Sequence, residues 1–144
     1  MTPQDIVLLA ITAWRENRGG LSTGMQSVAN VINNRAVKTG KSVYDICTAH
    51  EQFSSISMPG PEAYLWPVEN DSQWQDALQI AQQAAAGTLD DLTNGSTLYY
   101  APKAIQTTVT ITLPDGSTIP FPKGWNAAAV TFQATICGQV FFTE

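Results

Sequence analysis

Pro3-Gln4-Asp5-Ile6-Val7-Leu8-Leu9-Ala10-Ile11-Thr12-Ala13-Trp14-Arg15-Glu16-Asn17 is the stretch on which the fold turns. Ile6, Leu9, Ala10, Ala13 and Trp14 recur at the three- and four-residue spacing of a helix with one face in a core. Thr2 and Asp5 form a capping-box pair around its start, and Pro3 takes the first helical position, where a missing N–H costs nothing. Gly19 and Gly20 stop it. Glu16 lies three residues after Ala13 and seven after Leu9, so a carboxylate follows the apolar stripe to the C-terminal end. Burial and the negative helix terminus both disfavour the anion there, so its pKa is expected to rise. A carboxyl that holds its proton near neutral pH is what general-acid catalysis requires. The plainer alternative is an ion pair with Arg15 or Arg18, or a side chain that points into water beyond a frayed end.

Outward from that helix, the spacing predicts a second helix over residues 24–37. Ser22 or Thr23 is its cap, Met25, Val28, Ala29, Ile32 and Ala36 its apolar face, and Gly40 its end. A short helix over 43–49 is expected, then an irregular loop over 55–70 broken by Pro59, Gly60, Pro61 and Pro67. Asp71 or Ser72 caps a further helix carrying Trp74, Ala77, Leu78, Ala81 and Ala85, which Gly87 closes. The period then changes. Residues 107–113 and 117–121 flank Pro114-Asp115-Gly116 and read as a β-hairpin. Residues 127–142 suit either a helix or a strand. The expectation is one α+β domain over 1–144, mainly helical, with a small β element late.

Composition narrows the function. The chain has 144 residues, a net charge of −5, 44% hydrophobic residues and 13% charged residues. That is a globular chain without the basic patch that nucleic acid or an anionic membrane surface demands. The apolar run over 6–14 is far short of the roughly 20 residues that cross a bilayer. Asp5 stands where a signal peptide carries positive charge, so the first residues do not read as a leader. Either a leader has been removed or the protein reaches its target by another route, such as phage lysis or a secretion system. Cys47 and Cys137 match no metal spacing and are expected as two buried free thiols, with a disulfide as the alternative. His50 is the only histidine, has no apparent partner, and leaves no zinc site. No metal and no cofactor are implied.

The resemblance that sharpens this lies in Trp14-Arg15-Glu16-Asn17-Arg18-Gly19-Gly20 and the helix Gly24-Met25-Gln26-Ser27-Val28-Ala29-Asn30-Val31-Ile32-Asn33-Asn34-Arg35. Together they resemble the opening of the SleB/CwlJ-like cell-wall hydrolases, in which Ala-Glu-Ala-Arg-Gly-Glu precedes a helix ending in Asn-Arg. Gln52-Phe53-Ser54 is similar to that family's Gln-Phe-Ser. Residues 74–87 resemble its Ala-rich helix, and residues 93–100 its Gly-Ala-Thr-His-Tyr-Tyr segment. Trp125 stands at its Pro-x-Trp, and residues 136–142 resemble its closing Ile-Gly-x-His-x-Phe. Nearly the whole chain is covered, in order. Gly20, Leu98 and Gln139 depart from the pattern, replacing a Glu and two histidines, and residues 104–122 are longer than usual.

The resemblance implies a lysozyme-like fold, related to goose-type lysozymes and lytic transglycosylases. It implies cleavage of the β-1,4 bond between N-acetylmuramic acid and N-acetylglucosamine in peptidoglycan glycan strands of the bacterial envelope. Glu16 would be the catalytic acid and then the base, with the sugar's own 6-hydroxyl attacking. Hydrolysis by a muramidase that uses a second carboxylate stays open, with Glu51, Glu62, Glu69 and Asp71 the nearest alternatives. A glycan-binding relative without catalysis is the competitor from another class. A delivered toxin would add an immunity protein as partner. Tyr99, Tyr100 and Trp125 are expected either as a sugar-stacking wall or as core aromatics. Gln52 and Ser54 either bind acetamido and hydroxyl groups or cap a turn. Arg18 and Arg35 either orient Glu16 and its loop or lie solvated. The hairpin after residue 107 is expected as a flap or docking surface.

Overall fold

The computed structural model of the protein describes residues 1–17, 20–49, 52–58, 60–61 and 65–144. Helix α1 runs Pro3–Asn17, α2 Ser22–Thr39, α3 Val43–Thr48, α4 Ser54–Ser57 and α5 Ser72–Ala86. Strands β1 (Leu98–Tyr100), β4 (Thr131–Ile136) and β5 (Gln139–Thr143) form an antiparallel sheet in the order β1-β5-β4. Strands β2 (Thr110–Thr112) and β3 (Thr118–Pro120) form a separate hairpin, in which Ile111 faces Ile119. The fold is α+β and mainly helical, as the periodicity predicts.

The start of α1 is built as a reciprocal cap. Asp5 N donates to Thr2 Oγ1 at 3.1 Å while Thr2 N donates to the Asp5 carboxylate at 2.9 Å. Past its first two turns α1 is enclosed on all sides, for every residue from Leu9 to Arg15 is buried. A helix buried all round is the central one, and α2, α3, α4 and α5 pack about it. Leu9, Met25, Val28, Ile32 and Phe53 are at most 1% exposed. Burying each such side chain contributes about 1.5–3 kcal/mol. Buried Thr12 satisfies its hydroxyl on the Leu8 carbonyl at 2.7 Å.

Several expected boundaries move. α2 begins at Ser22 behind Leu21 and runs to Thr39, where Gly40 at φ 69° returns its N–H to Ala36. α3 carries a capping box that periodicity did not reveal, with Ser42 and Asp45 as the pair. Residues 54–57 form a turn of helix inside the expected loop. Residues 127–142 are neither one helix nor one strand. After a 3-10 turn over Ala127–Ala129, β4 and β5 pair through Cys137 and Gly138, at φ 50° and 76°. Two successive positive φ values make the mirror-image turn whose twist suits a two-residue hairpin. Cys137 is therefore exposed rather than buried, because a turn tip has no core to face; Cys47 is buried as expected.

The long hairpin is no detached flap. Ile111 and Ile119 pack against a second core of Tyr100, Phe121, Val140 and Phe142. Leu113 is 8% exposed and Phe121 wholly buried, so its root is structural. Among the described residues, no helix is long and apolar enough to cross a membrane.

Candidate active site

Glu16 sits in the last turn of α1, half-buried, where the first helical core meets the sheet. Ser55 Oγ donates to Glu16 Oε1 at 2.9 Å. The Tyr99 hydroxyl, from β1, lies close enough to the Glu16 carboxylate to feel its charge. Burial first, and the Glu16 carboxylate second, push the Tyr99 hydroxyl far above its ordinary value, so it stays a donor. A hydroxyl partner can donate to a carboxylate or accept from a carboxyl, so Ser55 can hold the group in either protonation state.

Arg15 explains why Ser55 is there. Its guanidinium is buried, donating from Nε to the Leu65 carbonyl at 3.1 Å and from Nη1 to the Ser55 carbonyl at 2.9 Å. It also lies 4.9 Å from the centre of the Trp66 ring. Arg15 thus fastens residues 55 and 65–66 against α1 beside Glu16. Arg18 lies outside the described residues, as do Gly19, His50, Glu51 and Glu62.

The remaining candidates divide. Ser54 opens α4 exposed, while its neighbour Ser55, which sequence reading passed over, is 3% exposed and reaches the carboxylate. Gln52 turns its Oε1 to Arg35, accepting from Nη1 at 3.1 Å. Tyr99, Tyr100 and Trp125 do not form one wall, because successive residues of a strand face opposite sides. Tyr99 faces the helices, stacking on Phe141 at 5.6 Å, 18° from parallel. Tyr100 faces the second core, stacks on Phe142 at 5.9 Å, meets Trp125 edge-on at 5.5 Å and donates to the Pro120 carbonyl at 2.8 Å. Tyr100 is buried in the second core, and Trp125 packs half-buried against it.

The three departures also find places. A Cβ on Gly20 would lie 2.5 Å from Asn17 Oδ1, and one on Gly24 would also collide with the Asn17 amide. The side chain of Asn17 fills the space that a glutamate at position 20 would need. Leu98 packs in the second core, away from Glu16. By strand alternation Gln139 shares the face of Phe141, the ring on which Tyr99 stacks. No group of three or more His, Cys, Asp or Glu able to hold a metal occurs among the described residues.

The sequence profile of one family, described as Cell Wall Hydrolase, matches residues 19–119, well over half of the chain. The chain belongs to the cell wall hydrolase family. This cell wall hydrolase is a peptidoglycan-cleaving enzyme, and its place of action is the bacterial wall. Glu16 precedes the matched stretch by three residues. Two solved structures share the fold. One is the catalytic domain of the germination-specific lytic transglycosylase SleB from Bacillus anthracis. It has a TM-score of 0.68 and 20% identity, with 98% of this chain and 95% of that one covered. The other is the catalytic domain of the Bacillus cereus SleB protein, with a TM-score of 0.66 and 21% identity over 97% and 90% of the two chains. No curated protein sequence matches this hydrolase.

Proposed function

We propose that this hydrolase is a lytic transglycosylase acting on the β-1,4 bond between N-acetylmuramic acid and N-acetylglucosamine, with residues 1–144 as one catalytic unit and Glu16 as its acid and base. The observation that carries the reading is the half-buried Glu16 carboxyl at the end of α1, held by the Ser55 hydroxyl at 2.9 Å with the Tyr99 hydroxyl close by. The SleB likeness supports it, since the Bacillus anthracis relative is a lytic transglycosylase.

In the first half of the reaction the Glu16 carboxyl gives its proton to the glycosidic oxygen as the bond to the muramic C1 breaks. In the second half the Glu16 carboxylate takes the proton of the muramic 6-hydroxyl, whose oxygen closes on C1. The carboxyl is restored and no water is consumed. Ser55 can follow the group through both steps because its hydroxyl is donor and acceptor. Of the carboxylates that an ordinary two-carboxylate hydrolysis would call on, Asp71 caps α5 through Oδ1, accepting from Gln73 and Trp74. Glu69 is exposed at the turn before it.

Mass spectrometry of digested peptidoglycan tests this. The expected products end in 1,6-anhydro-muramic acid. Reducing muramic ends would make the enzyme a hydrolytic muramidase, and reducing N-acetylglucosamine ends would move the cleaved bond.

A further inference from the structure

Arg35 lies on α2, away from α1, yet its side chain ends between the two segments beside Glu16. Its Nε donates to the Thr97 carbonyl at 2.6 Å, two residues before Tyr99. Its Nη1 donates to Gln52 Oε1 at 3.1 Å, and its guanidinium carbon lies 5.4 Å from the centre of the Phe53 ring. Phe53 is 1% exposed and stands two residues before Ser55. One planar fork therefore joins Thr97, just ahead of Tyr99, to Gln52, just ahead of the Ser55 that holds Glu16.

We propose that Arg35 is a positioning residue for catalysis, setting the spacing between Ser55 and Tyr99 and so the aim of the Glu16 carboxyl. Arginine suits the task because its donors leave in fixed directions from one rigid plane, so the Thr97 carbonyl and the Gln52 side chain bound to it keep their separation. Partial burial makes the contact firm. Desolvation holds the Arg35 pKa below its ordinary value, and the Tyr99 hydroxyl is among the groups that feel its charge. The bonds to Thr97 and Gln52 bridge 62 and 17 residues of chain. Local secondary structure supplies neither.

This proposal rests on Glu16 as the acid. The test is a set of double-mutant cycles read as kcat on purified peptidoglycan, with folding followed by circular dichroism. Arg35→Met should lower kcat by about 10- to 100-fold, the scale of a misplaced catalytic group. In the Ser55→Ala background, and separately in Tyr99→Phe, the same change should cost distinctly less, because the group it positions is already gone. Equal losses in all backgrounds, within about twofold, would mean independent sites and overturn the proposal. Arg35→Lys keeps the charge and the stem over Phe53 but not the fork. It should reproduce the loss, and it carries the test if the methionine variant does not fold; a lysine variant with full kcat overturns the proposal. Glu16→Gln run alongside separates the two readings. An active Glu16→Gln enzyme refutes the acid itself, whereas an inactive one with additive Arg35 losses refutes only the positioning role.

Discussion

Ser55 is gripped by two successive residues of α1: its carbonyl accepts from Arg15 Nη1 and its hydroxyl donates to Glu16 Oε1, both at 2.9 Å. The first contact places the residue and the second uses it. A helix that ends at the site thereby builds part of the far wall for itself. The arrangement ties the geometry of Glu16 to a segment 39 residues further along the chain.

Glu16→Gln should lower kcat by about 10²–10⁴-fold, because the amide cannot exchange the catalytic proton. The amide oxygen still accepts from Ser55, so the melting temperature should change little. Turbidity clearing of purified walls beside a thermal melt checks both. Full activity, or an inactive variant that has also unfolded, would count against Glu16 as the acid.

Ser55→Ala and Tyr99→Phe should each reduce kcat by about tenfold. A hydrogen bond to a charged group is worth about 1.5–3 kcal/mol, and part of that is lost in aim. Ser54→Ala, one residue away and exposed, should match the parent enzyme. Steady-state rates on soluble glycan fragments distinguish them, and an inert Ser55→Ala with a crippled Ser54→Ala would reverse the assignment.

Tyr100→Phe should destabilise the fold by about 1 kcal/mol while leaving kcat intact, since the hydroxyl serves the Pro120 carbonyl. Trp125→Ala should cost more, as it empties part of the second core. Denaturant titration with activity measured in water gives the comparison. A loss of substrate affinity at unchanged stability would return these rings to the glycan groove.

Asp5 supplies a pH dependence. The Thr2 N–H above all, then the Thr2 hydroxyl and the Tyr44 N–H, hold its carboxyl below the ordinary value against the opposing effect of burial. A lowered folded-state pKa stabilises the protein above the unfolded value near 3.9 and loses that contribution as pH falls through the folded one. Asp5→Asn should therefore depress the melting temperature at neutral pH, and by less and less as pH falls through the folded-state value. A gap that stays constant with pH would show that shape, not charge, matters at this cap.

The helices were legible because their apolar residues repeat at fixed spacing and their ends carry Pro3, Asp71, Gly40 and Gly87. The site was legible in part. Glu16 stood out by following the stripe, and Tyr99 by its segment. The choice of Ser55 over Ser54 was not readable, since it depends on the first turn of α4 and on Arg15 reaching a carbonyl 40 residues away. The split between Tyr99 and Tyr100 was readable in principle from the two-residue period of a strand, had that strand been assigned. Cys137-Gly138 hid the last hairpin because a cysteine in the left-handed region is an uncommon turn residue.

Strand β1 has one neighbour in its sheet, β5, and Tyr99 is registered against Phe141. The hydroxyl close to Glu16 is therefore moored by a strand made more than forty residues after it. During synthesis the glutamate, its helix and Ser55 all emerge while that mooring does not yet exist. A nascent or clipped chain lacking residues 139–143 would carry Glu16, Ser55 and Tyr99 and still present them in the wrong place. On the proposed role of Glu16, the closing strand thus belongs to the catalytic apparatus as much as the residues around the carboxyl do.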